Sequence, residues 1–364
     1  MRGQSTAAVR RKLLHVFPTF ATGGAQARFS DVVNHFGDRW RHVVVAMDGV
    51  FECRERLDPK LDLEFLHPTL PKRQTLRNIL TCRALLRSIA PDTLVTSNWG
   101  ALEWALSNNP HNVRHVHMED GLSHDEAEKQ YARRIWLRRV ALRRSTVVLP
   151  SRSLERLARE VWKLPQSNLR FVPNAVNLQR FASPPRGQAD QPIIGTVAAL
   201  RKEKNLTRLI HAFKVVRDQV DVSLVIVGDG EEREKLESLT SDLGLSSSVR
   251  FEGHQARPED LYRSFNMFAL TSDTEQMPLS VLEAMAAGLP IVATNVGDIF
   301  DMVSEANQRF IVEKSPQAIA AALLELAASP SLRNSLGEAN RRRARAEFDP
   351  IIMFDKWAEL YDGF

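Results

Sequence analysis

Short apolar runs alternate with amphipathic stretches along the whole chain. The first run, at 13–17, is followed by a glycine-containing loop and then by Ala25, Phe29, Val33 and Phe36 at helical spacing. Short apolar runs predict buried strands, whereas an apolar period of three to four residues predicts a helix packed on them. The repeated order of strand, loop and helix predicts an α/β fold with parallel strands joined by crossover helices.

Two such series follow one another. Further predicted strands of the first series are 42–46, 61–66, 93–97, 113–117, 146–149 and 169–172. Those of the second series are 193–198, 222–227, 249–251, 267–271, 291–294 and 310–312. A chain of 364 residues exceeds what one core usually accommodates, so the sequence predicts two Rossmann-like domains with a cleft between them.

The proline-rich stretch 183–188 sets the predicted domain boundary. Residues 1–182 form the predicted N-terminal domain and residues 183–348 the predicted C-terminal domain. The tail 349–364 is aromatic and amphipathic, so we expect a C-terminal helix that packs back on the first domain.

Composition narrows the class of protein. The hydrophobic fraction of 43% and the charged fraction of 26% are ordinary for a soluble globular protein. Cys53 and Cys82 have no metal-ligand spacing, so we expect no metal site and no disulfide framework, which favours the cytoplasm. The apolar run that ends at Pro18 is too short for a signal peptide, and no window predicts a membrane span. The net charge of +5 favours anionic ligands or an anionic membrane surface.

Two glutamates frame the start of a predicted helix in the second half. Glu275 lies in the loop after the run 267–271, and Glu283 lies about one turn into the next helix. In an open parallel sheet, ligands bind beyond the carboxyl ends of the strands, and a helix N-terminus there offers N–H groups to phosphate. These carboxylates could accept hydrogen bonds from sugar and ribose hydroxyls, although an isolated glutamate is more often a solvated surface residue.

The segment around these glutamates resembles a family signature. The spacing of Glu275 and Glu283, followed by AMAAGLPIVATNVG at 284–297, resembles the glycogen-synthase-like family of retaining GT-B glycosyltransferases, family 4 or group 1. The resemblance implies retention of configuration and a nucleotide-sugar co-substrate with no other cofactor. It implies that Glu275 holds donor-sugar hydroxyls and that Glu283 holds the ribose. Backbone amides that would contact sugar and phosphate are those of Gln276, Met277 and Leu279.

Three more segments resemble parts of that family. Gly23 and Gly24 match its N-terminal glycine loop, where absent side chains let donor phosphate and acceptor approach a helix start. The PNAVN sequence at 173–177 resembles the interdomain hinge, with two departures that leave the flexibility of the hinge in doubt. Gly228 and Asp229 match a loop on the nucleotide side and are predicted to line the base pocket, although Gly-Asp-Gly alone also predicts a turn.

The stretch 198–206 resembles the family segment whose cations neutralise the donor diphosphate. Lys204 falls on the family lysine, but Ala199 occupies the usual arginine position. Arg201 is the predicted substitute, because a leaving nucleoside diphosphate needs about two compensating cations when no metal is present. The alternative is a basic loop that caps the helix beginning near Asn205.

A histidine and several carboxylates follow a strand of the first domain. The family often has a histidine here that contacts the transferred sugar, and His117 matches it better than His115, although a histidine on a strand is usually just packed or solvated. The carboxylates are Glu119, Asp120, Asp125 and Glu126. One of them could orient or deprotonate the acceptor hydroxyl, but the resemblance implies no agreed general base.

Six arginines lie between Arg133 and Arg144, interleaved with apolar residues. One interpretation is an amphipathic helix with a solvated basic face. The other is contact with anionic lipid headgroups, which would place the protein at the inner face of the membrane. Nucleic acid is not an expected partner, because no binding motif accompanies the arginines.

The sequence thus predicts a metal-independent, nucleotide-sugar-dependent hexosyltransferase with a UDP-sugar or GDP-sugar donor. Its acceptor would be a glycan or a lipid-linked glycan, as in bacterial surface polysaccharide or lipopolysaccharide biosynthesis. The catalytic set is His117, Arg201, Lys204 and Glu275. A nucleotide-sugar 2-epimerase of GT-B fold and a non-catalytic nucleotide-sugar-binding protein are the alternatives, the latter because of the departure at Ala199.

Overall fold

The computed structural model describes residues 10–71, 74–108, 113–122, 126, 130–182 and 191–363. The proline-rich stretch 183–188 and Asp125 therefore lie outside the described residues. Contacts divide the chain into two compact units, residues 1–172 with 354–364, and residues 173–353. The first break between the units, at 172–173, therefore lies before the PNAVN segment at 173–177, and the predicted boundary lies after it.

Strands and helices alternate through most of both units. The strands are β1 (Lys12–Phe17), β2 (Arg41–Ala46), β3 (Leu63–Leu66), β4 (Thr93–Ser97), β5 (Arg114–Met118), β6 (Thr146–Leu149), β7 (Leu169–Phe171), β8 (Ile193–Val197), β9 (Ser223–Val227), β10 (Val249–Gly253), β11 (Met267–Leu270), β12 (Ile291–Thr294) and β13 (Ile311–Val312). Helices of the first unit are α1 (Gly24–Phe36), α2 (Thr75–Ile89), α3 (Leu102–Ser107), α4 (Ala132–Leu142) and α5 (Arg152–Glu160). The remaining helices are α6 (Leu178–Phe181), α7 (Leu206–Arg217), α8 (Arg233–Asp242), α9 (Glu259–Ser264), α10 (Leu279–Ala286), α11 (Ile299–Met302), α12 (Pro316–Ala328), α13 (Pro330–Glu347) and α14 (Pro350–Asp362).

Each unit is built on one parallel sheet. The first sheet has the order β3-β2-β1-β4-β5-β6-β7 and the second the order β10-β9-β8-β11-β12-β13. All described strand pairs are parallel. The predicted pair of Rossmann-like parallel sheets is confirmed. Strand order reverses between β1 and β4 and between β8 and β11, and such switch points are where ligands bind in open α/β sheets.

The central strands are apolar on both faces because helices cover both. In the second unit, every residue of β11 and β12 is buried. Two apolar clusters lie on the two sides of this sheet, one around Tyr262 and Met285 and one around Phe213 and Leu323. Burial on both faces explains why these strands appear in the sequence as continuous apolar runs rather than as alternating patterns.

The C-terminal helix packs on the first unit, as predicted. Tyr361 is buried edge-on against His15 and Trp40. The Trp40 indole donates a 2.9 Å hydrogen bond to Asp362. The Arg28 guanidinium also lies over the Trp357 ring, and residues 354–364 belong to the first unit.

Candidate active site

Two loops leave the second sheet at its switch point, one after β8 and one after β11. Asn205 caps α7 and donates a 3.0 Å hydrogen bond to Asp273 of the other loop. Arg208 donates to the Thr271 carbonyl at 2.7 Å and pairs with Asp273 at 2.6 Å. The backbone N–H of Asp273 donates to the Glu203 carbonyl at 2.8 Å. These bonds hold the predicted cation loop and the predicted glutamate loop side by side.

Lys204 and Glu275 meet across these two loops. The Lys204 Nζ lies 2.5 Å from Glu275 Oε1, and the Ser272 hydroxyl donates to the same oxygen at 2.7 Å. Thr294 of the neighbouring strand donates to the Ser272 carbonyl at 2.6 Å and so holds that residue in turn. Two donors fix the Glu275 carboxylate, and one of them carries a full positive charge. The sequence placed Lys204 and Glu275 in the site but did not indicate Ser272.

Arg201 stands at the start of the same cation loop with its side chain exposed. Its backbone N–H donates to the Ala199 carbonyl at 2.9 Å, and its own carbonyl accepts from the Lys204 N–H at 3.0 Å. Ala199 is also exposed. The loop therefore presents Arg201 outward within one turn of Lys204, which leaves its predicted role at the diphosphate open to test.

The backbone after Glu275 is held from two sides. Asn174 donates to the Met277 carbonyl at 2.8 Å, and the Asp298 N–H donates to the Gln276 carbonyl at 2.9 Å. Gly297 lies directly under this backbone, with φ +58°. The loop then runs through Pro278 into α10, whose first N–H groups have no acceptor within the helix.

Glu283 lies one turn into α10, at the distance the sequence predicts. Its Oε2 accepts a 2.7 Å hydrogen bond from the hydroxyl of Tyr262, which is fully buried and stacks on Phe268. Burial, and then the neighbouring Glu283 carboxylate, raises the pKa of the Tyr262 hydroxyl well above its usual value. Tyr262 therefore acts as a neutral donor that orients Glu283. Nothing near Glu283 in the sequence pointed to this tyrosine.

Glycines at the end of β9 let a third loop approach the first. Gly228 has φ +135°, and a Cβ there would overlap the Ala198 carbonyl oxygen. The Leu200 N–H donates to the Asp229 carbonyl at 2.9 Å. The Asp229 side chain is exposed and pairs with Arg233 at 2.9 Å. Hydrogen bonds from the Gly230 N–H and from Arg233 outweigh the effect of burial and lower the pKa of Asp229.

In the first unit, the glycine loop ends at the N-terminus of α1. Gly23 is the N-cap and Gly24 the first helical residue. Gln26 folds back and donates to the Thr19 carbonyl at 2.8 Å, and a Cβ on Gly23 would lie 2.8 Å from the Gln26 side-chain oxygen. The absence of a side chain at Gly23 therefore has a packing reason as well as the predicted role in ligand approach.

His117 is fully buried in a chain of hydrogen bonds. Its Nδ1 lies 2.8 Å from the Thr96 hydroxyl, which also lies 2.8 Å from His115 Nε2, and His117 Nε2 lies 3.5 Å from Glu119. His115 Nδ1 in turn lies 2.7 Å from the Ser145 hydroxyl. A hydroxyl carries one proton, so Thr96 donates to one histidine and accepts from the other.

The carboxylates after β5 are engaged with arginines. Arg138, fully buried on α4, pairs with Glu126 at 2.9 Å and with Glu119 at 3.3 Å. Burial alone would raise the pKa of Glu126, but hydrogen bonds from Arg138 and Arg134 outweigh it and lower the pKa. Glu126, whose pKa is lowered by two arginines, is thus a poor candidate for a base. Asp120 pairs with Arg28 at 2.6 Å.

The stretch 133–144 does not form a helix with one solvated basic face, because Arg138 is buried. Its side chain points inward, and Arg134 is three-quarters buried against Glu126. Two of the six arginines neutralise buried carboxylates because such groups are stable in a core only when paired. The exposed members are Arg133, Arg139, Arg143 and Arg144.

Two family models match adjoining parts of the chain. The model described as Glycosyltransferase Family 4 matches residues 22–180, and the model described as Glycosyl transferases group 1 matches residues 180–343. The chain belongs to the group 1 glycosyltransferases. The second match contains both glutamates, Lys204 and Arg201.

Curated relatives of this group 1 glycosyltransferase share about half of its length. The capsular polysaccharide biosynthesis glycosyltransferase CapM of Staphylococcus aureus is 29% identical over 178 residues, 48% of this chain and 47% of CapM. The lipopolysaccharide core biosynthesis glycosyltransferase LpsD of Rhizobium meliloti is 30% identical over 175 residues, 48% of this chain and 50% of LpsD. The chain spans about half the length of the curated relatives it matches.

Solved structures with the same fold cover almost the whole glycosyltransferase. Anabaena Alr3699/HepE in complex with UDP has a TM-score of 0.81 at 19% identity, covering 97% of this chain and 100% of that one. A glycosyltransferase from Rickettsia africae has a TM-score of 0.78 at 16% identity, covering 97% and 98%. At these identities the likeness establishes the fold alone, which is GT-B as predicted.

Proposed function

We propose that this chain transfers a hexose from a nucleotide diphosphate sugar to a glycan or lipid-linked acceptor, with retention of configuration. The observation that carries the proposal is the ion pair of Lys204 with Glu275, beyond the carboxyl ends of β8 and β11 and just before α10, the helix that carries Glu283. A cation, two carboxylates and a helix N-terminus at a sheet switch point match a ligand that combines phosphates with hydroxyls.

Each part of the donor has a matching group in this proposal. Glu283, oriented by Tyr262, accepts hydrogen bonds from the ribose, and Glu275 accepts them from the hexose. The N–H groups of Gln276, Met277 and Leu279 approach the sugar and the phosphates. Gly228 and Asp229 line the base.

Lys204 and Arg201 provide the positive charge at the diphosphate. As the bond between the anomeric carbon and the diphosphate oxygen breaks, negative charge grows on the leaving group, and preorganised cations stabilise it. Lys204 pairs with Glu275. In this proposal, a bound diphosphate shares the Lys204 ammonium with Glu275. We therefore expect transfer to persist in EDTA.

The first unit is assigned the acceptor. Gly23 and Gly24 leave room at the start of α1, and Asp120, 18% exposed, is the described carboxylate after β5 best able to reach an acceptor hydroxyl. His117 has no exposed surface. For it to contact the transferred sugar, as the family match predicts, its side chain has to become accessible when the donor binds.

The names of relatives support a donor and an acceptor class. CapM and LpsD are named for capsular polysaccharide and lipopolysaccharide core biosynthesis. A Mycobacterium tuberculosis relative, 28% identical over 219 residues, is named as a GDP-mannose-dependent mannosyltransferase acting on a phosphatidylinositol monomannoside. We propose a UDP-sugar or GDP-sugar donor and a surface-polysaccharide or lipopolysaccharide acceptor, with the protein in the cytoplasm and at the membrane's inner face through its exposed arginines. No described helix has the length and apolarity needed to cross a bilayer.

A donor panel tests the proposal. UDP-sugars and GDP-sugars are screened by thermal shift, because a ligand that binds only the folded state raises the melting temperature. The donors that bind are then incubated with glycan acceptors, and the anomeric configuration of the product is read by NMR. Sugar on an acceptor with retained configuration supports the proposal. An altered sugar still on its nucleotide would identify an epimerase, and binding without turnover would identify a non-catalytic binder.

A further inference from the structure

A cationic groove of about 600 Å³ lies between the end of α4 and the turn after α5. Its charged lining residues are Arg139, Arg143, Arg144 and Lys163. The described residues that line it include no acidic side chain. Like charges brought together repel one another, so four cations around one groove need a physical explanation.

The negative ends of two helices offset part of this positive charge. Helices α4 and α5 both end at the groove, and a helix C-terminus carries roughly half a unit of negative charge. Arg139 donates to the carbonyls of Trp162 and Val161 at 3.0 and 3.4 Å. Two half charges offset about one of the four cations, so roughly three positive charges remain. Helix capping alone therefore does not explain the groove.

Lys163 holds a backbone conformation that glycine adopts more easily. Its φ is +55°, in the left-handed region. The turn is closed by hydrogen bonds from the Trp162 N–H to the Leu157 carbonyl at 3.2 Å and from the Leu164 N–H to the Ala158 carbonyl at 3.0 Å. Glycine is the usual residue at such a helix end, and a lysine there is strained. At this strained position, Lys163 adds an ammonium group to a groove that is already lined by three guanidinium groups.

Exposed apolar side chains adjoin these cations. Trp136 is 59% exposed and Val140, one helical turn later, is 44% exposed and lines the groove. Cations beside an exposed tryptophan are typical of surfaces that lie in the interface of an anionic membrane.

We propose that this groove binds the headgroup phosphates of anionic membrane lipids while Trp136 and Val140 insert among the lipids. The proposal makes the membrane contact specific: it adds Lys163, which the sequence did not indicate, and excludes the buried Arg138. It rests on the proposed membrane location and not on sugar transfer, so vesicle binding is measured without donor.

Lys163→Gly separates ligand binding from folding. The full chain is sedimented with vesicles of phosphatidylcholine containing phosphatidylglycerol, and with pure phosphatidylcholine as the reference. Each basic residue near such a surface contributes a factor of about five to partitioning, so Lys163→Gly should weaken binding about fivefold. The same variant should melt at an equal or higher temperature, because glycine removes the left-handed strain. Sugar transfer to a soluble acceptor should be unchanged.

Lys60→Gln is the matched control. Lys60 is exposed and precedes β3, at the edge of the sheet opposite β6 and β7, which flank the groove. The Lys60→Gln substitution removes one positive charge, as Lys163→Gly does, but should leave vesicle binding unchanged. Equal losses for Lys60→Gln and Lys163→Gly would overturn the groove and indicate only a net-charge effect.

Two further measurements test the groove: tryptophan fluorescence with vesicles and thermal stabilisation by free pyrophosphate. Anionic vesicles should shift the emission to the blue in the wild type but not in Trp136→Phe. Stabilisation of the wild type by pyrophosphate, lost in Lys163→Gly, together with no vesicle binding, would assign the groove to a soluble phosphate ester and refute the lipid assignment. No response to vesicles or pyrophosphate would leave the cations as helix caps and also refute it.

Discussion

Gly297→Ala tests whether the position of the loop after Glu275 controls transfer. Gly297 has φ +58°, and a Cβ there would overlap the Glu275 carbonyl oxygen and lie 2.6 Å from the Gln276 carbonyl oxygen. Ordinary contact begins at 3.4 Å, so restoring it requires a relative shift of about 0.8 Å from the Gln276 carbonyl oxygen and about 1.0 Å from the Glu275 carbonyl oxygen. The substitution therefore displaces the proposed sugar-binding backbone without removing any functional side chain.

The expected loss follows from that displacement. A misplacement of about 1 Å at a reacting centre can lower the rate about 10²-fold, so kcat/KM should fall by roughly 10- to 100-fold. The left-handed conformation disfavours alanine by about 1–2 kcal/mol, so the melting temperature should also fall by several degrees. Transfer of the identified sugar is measured at a temperature where the variant remains folded.

Gly244→Ala is the control for backbone strain. Gly244 has φ +69°, but a Cβ there would have nothing within 4 Å. It should lose similar stability and keep wild-type kcat/KM. If both variants lost the same activity, or if Gly297→Ala kept wild-type kcat/KM, the loop position would not control transfer.

Three further predictions concern the site and the core. Glu283→Ala should weaken binding of both donor and free nucleoside diphosphate in calorimetry, whereas Glu275→Ala should impair mainly use of the donor sugar; equal loss of free diphosphate would refute this division. Arg201→Ala should lower kcat about 10²-fold with an unchanged ligand-free melting temperature, and Arg201→Lys should restore only part; normal turnover in Arg201→Ala but not in Lys204→Ala would assign the diphosphate to the lysine alone. Burial lowers the pKa of His42 from 6.5 to about 4, so between these values the unfolded chain binds a proton that the folded chain does not. The free energy of unfolding, from urea titration, should fall as the pH drops from 7 to 5, and less steeply in His42→Gln.

The sequence alone was sufficient for the order of elements. Runs such as 267–271 and 291–294 are apolar throughout because their strands are buried on both faces, and this signal is local. The placement of Glu275 in a loop and of Glu283 one turn into α10 followed from helix geometry. Such features follow from the pattern of residues within a short window, so they can be predicted without information on distant contacts.

Tertiary structure alone decided which groups hold the functional side chains. Tyr262 orients Glu283 from 21 residues away, and Asn174 holds Met277 from 103 residues away. No periodicity links such positions, because strand order and not sequence order brings them together. Burial of Arg138 is the clearest case: its spacing matches a solvated helix face, yet Glu119 and Glu126 make the charged group stable in the core. The sequence determines which side chains are charged, but only the folded structure determines which of them have a partner of opposite charge.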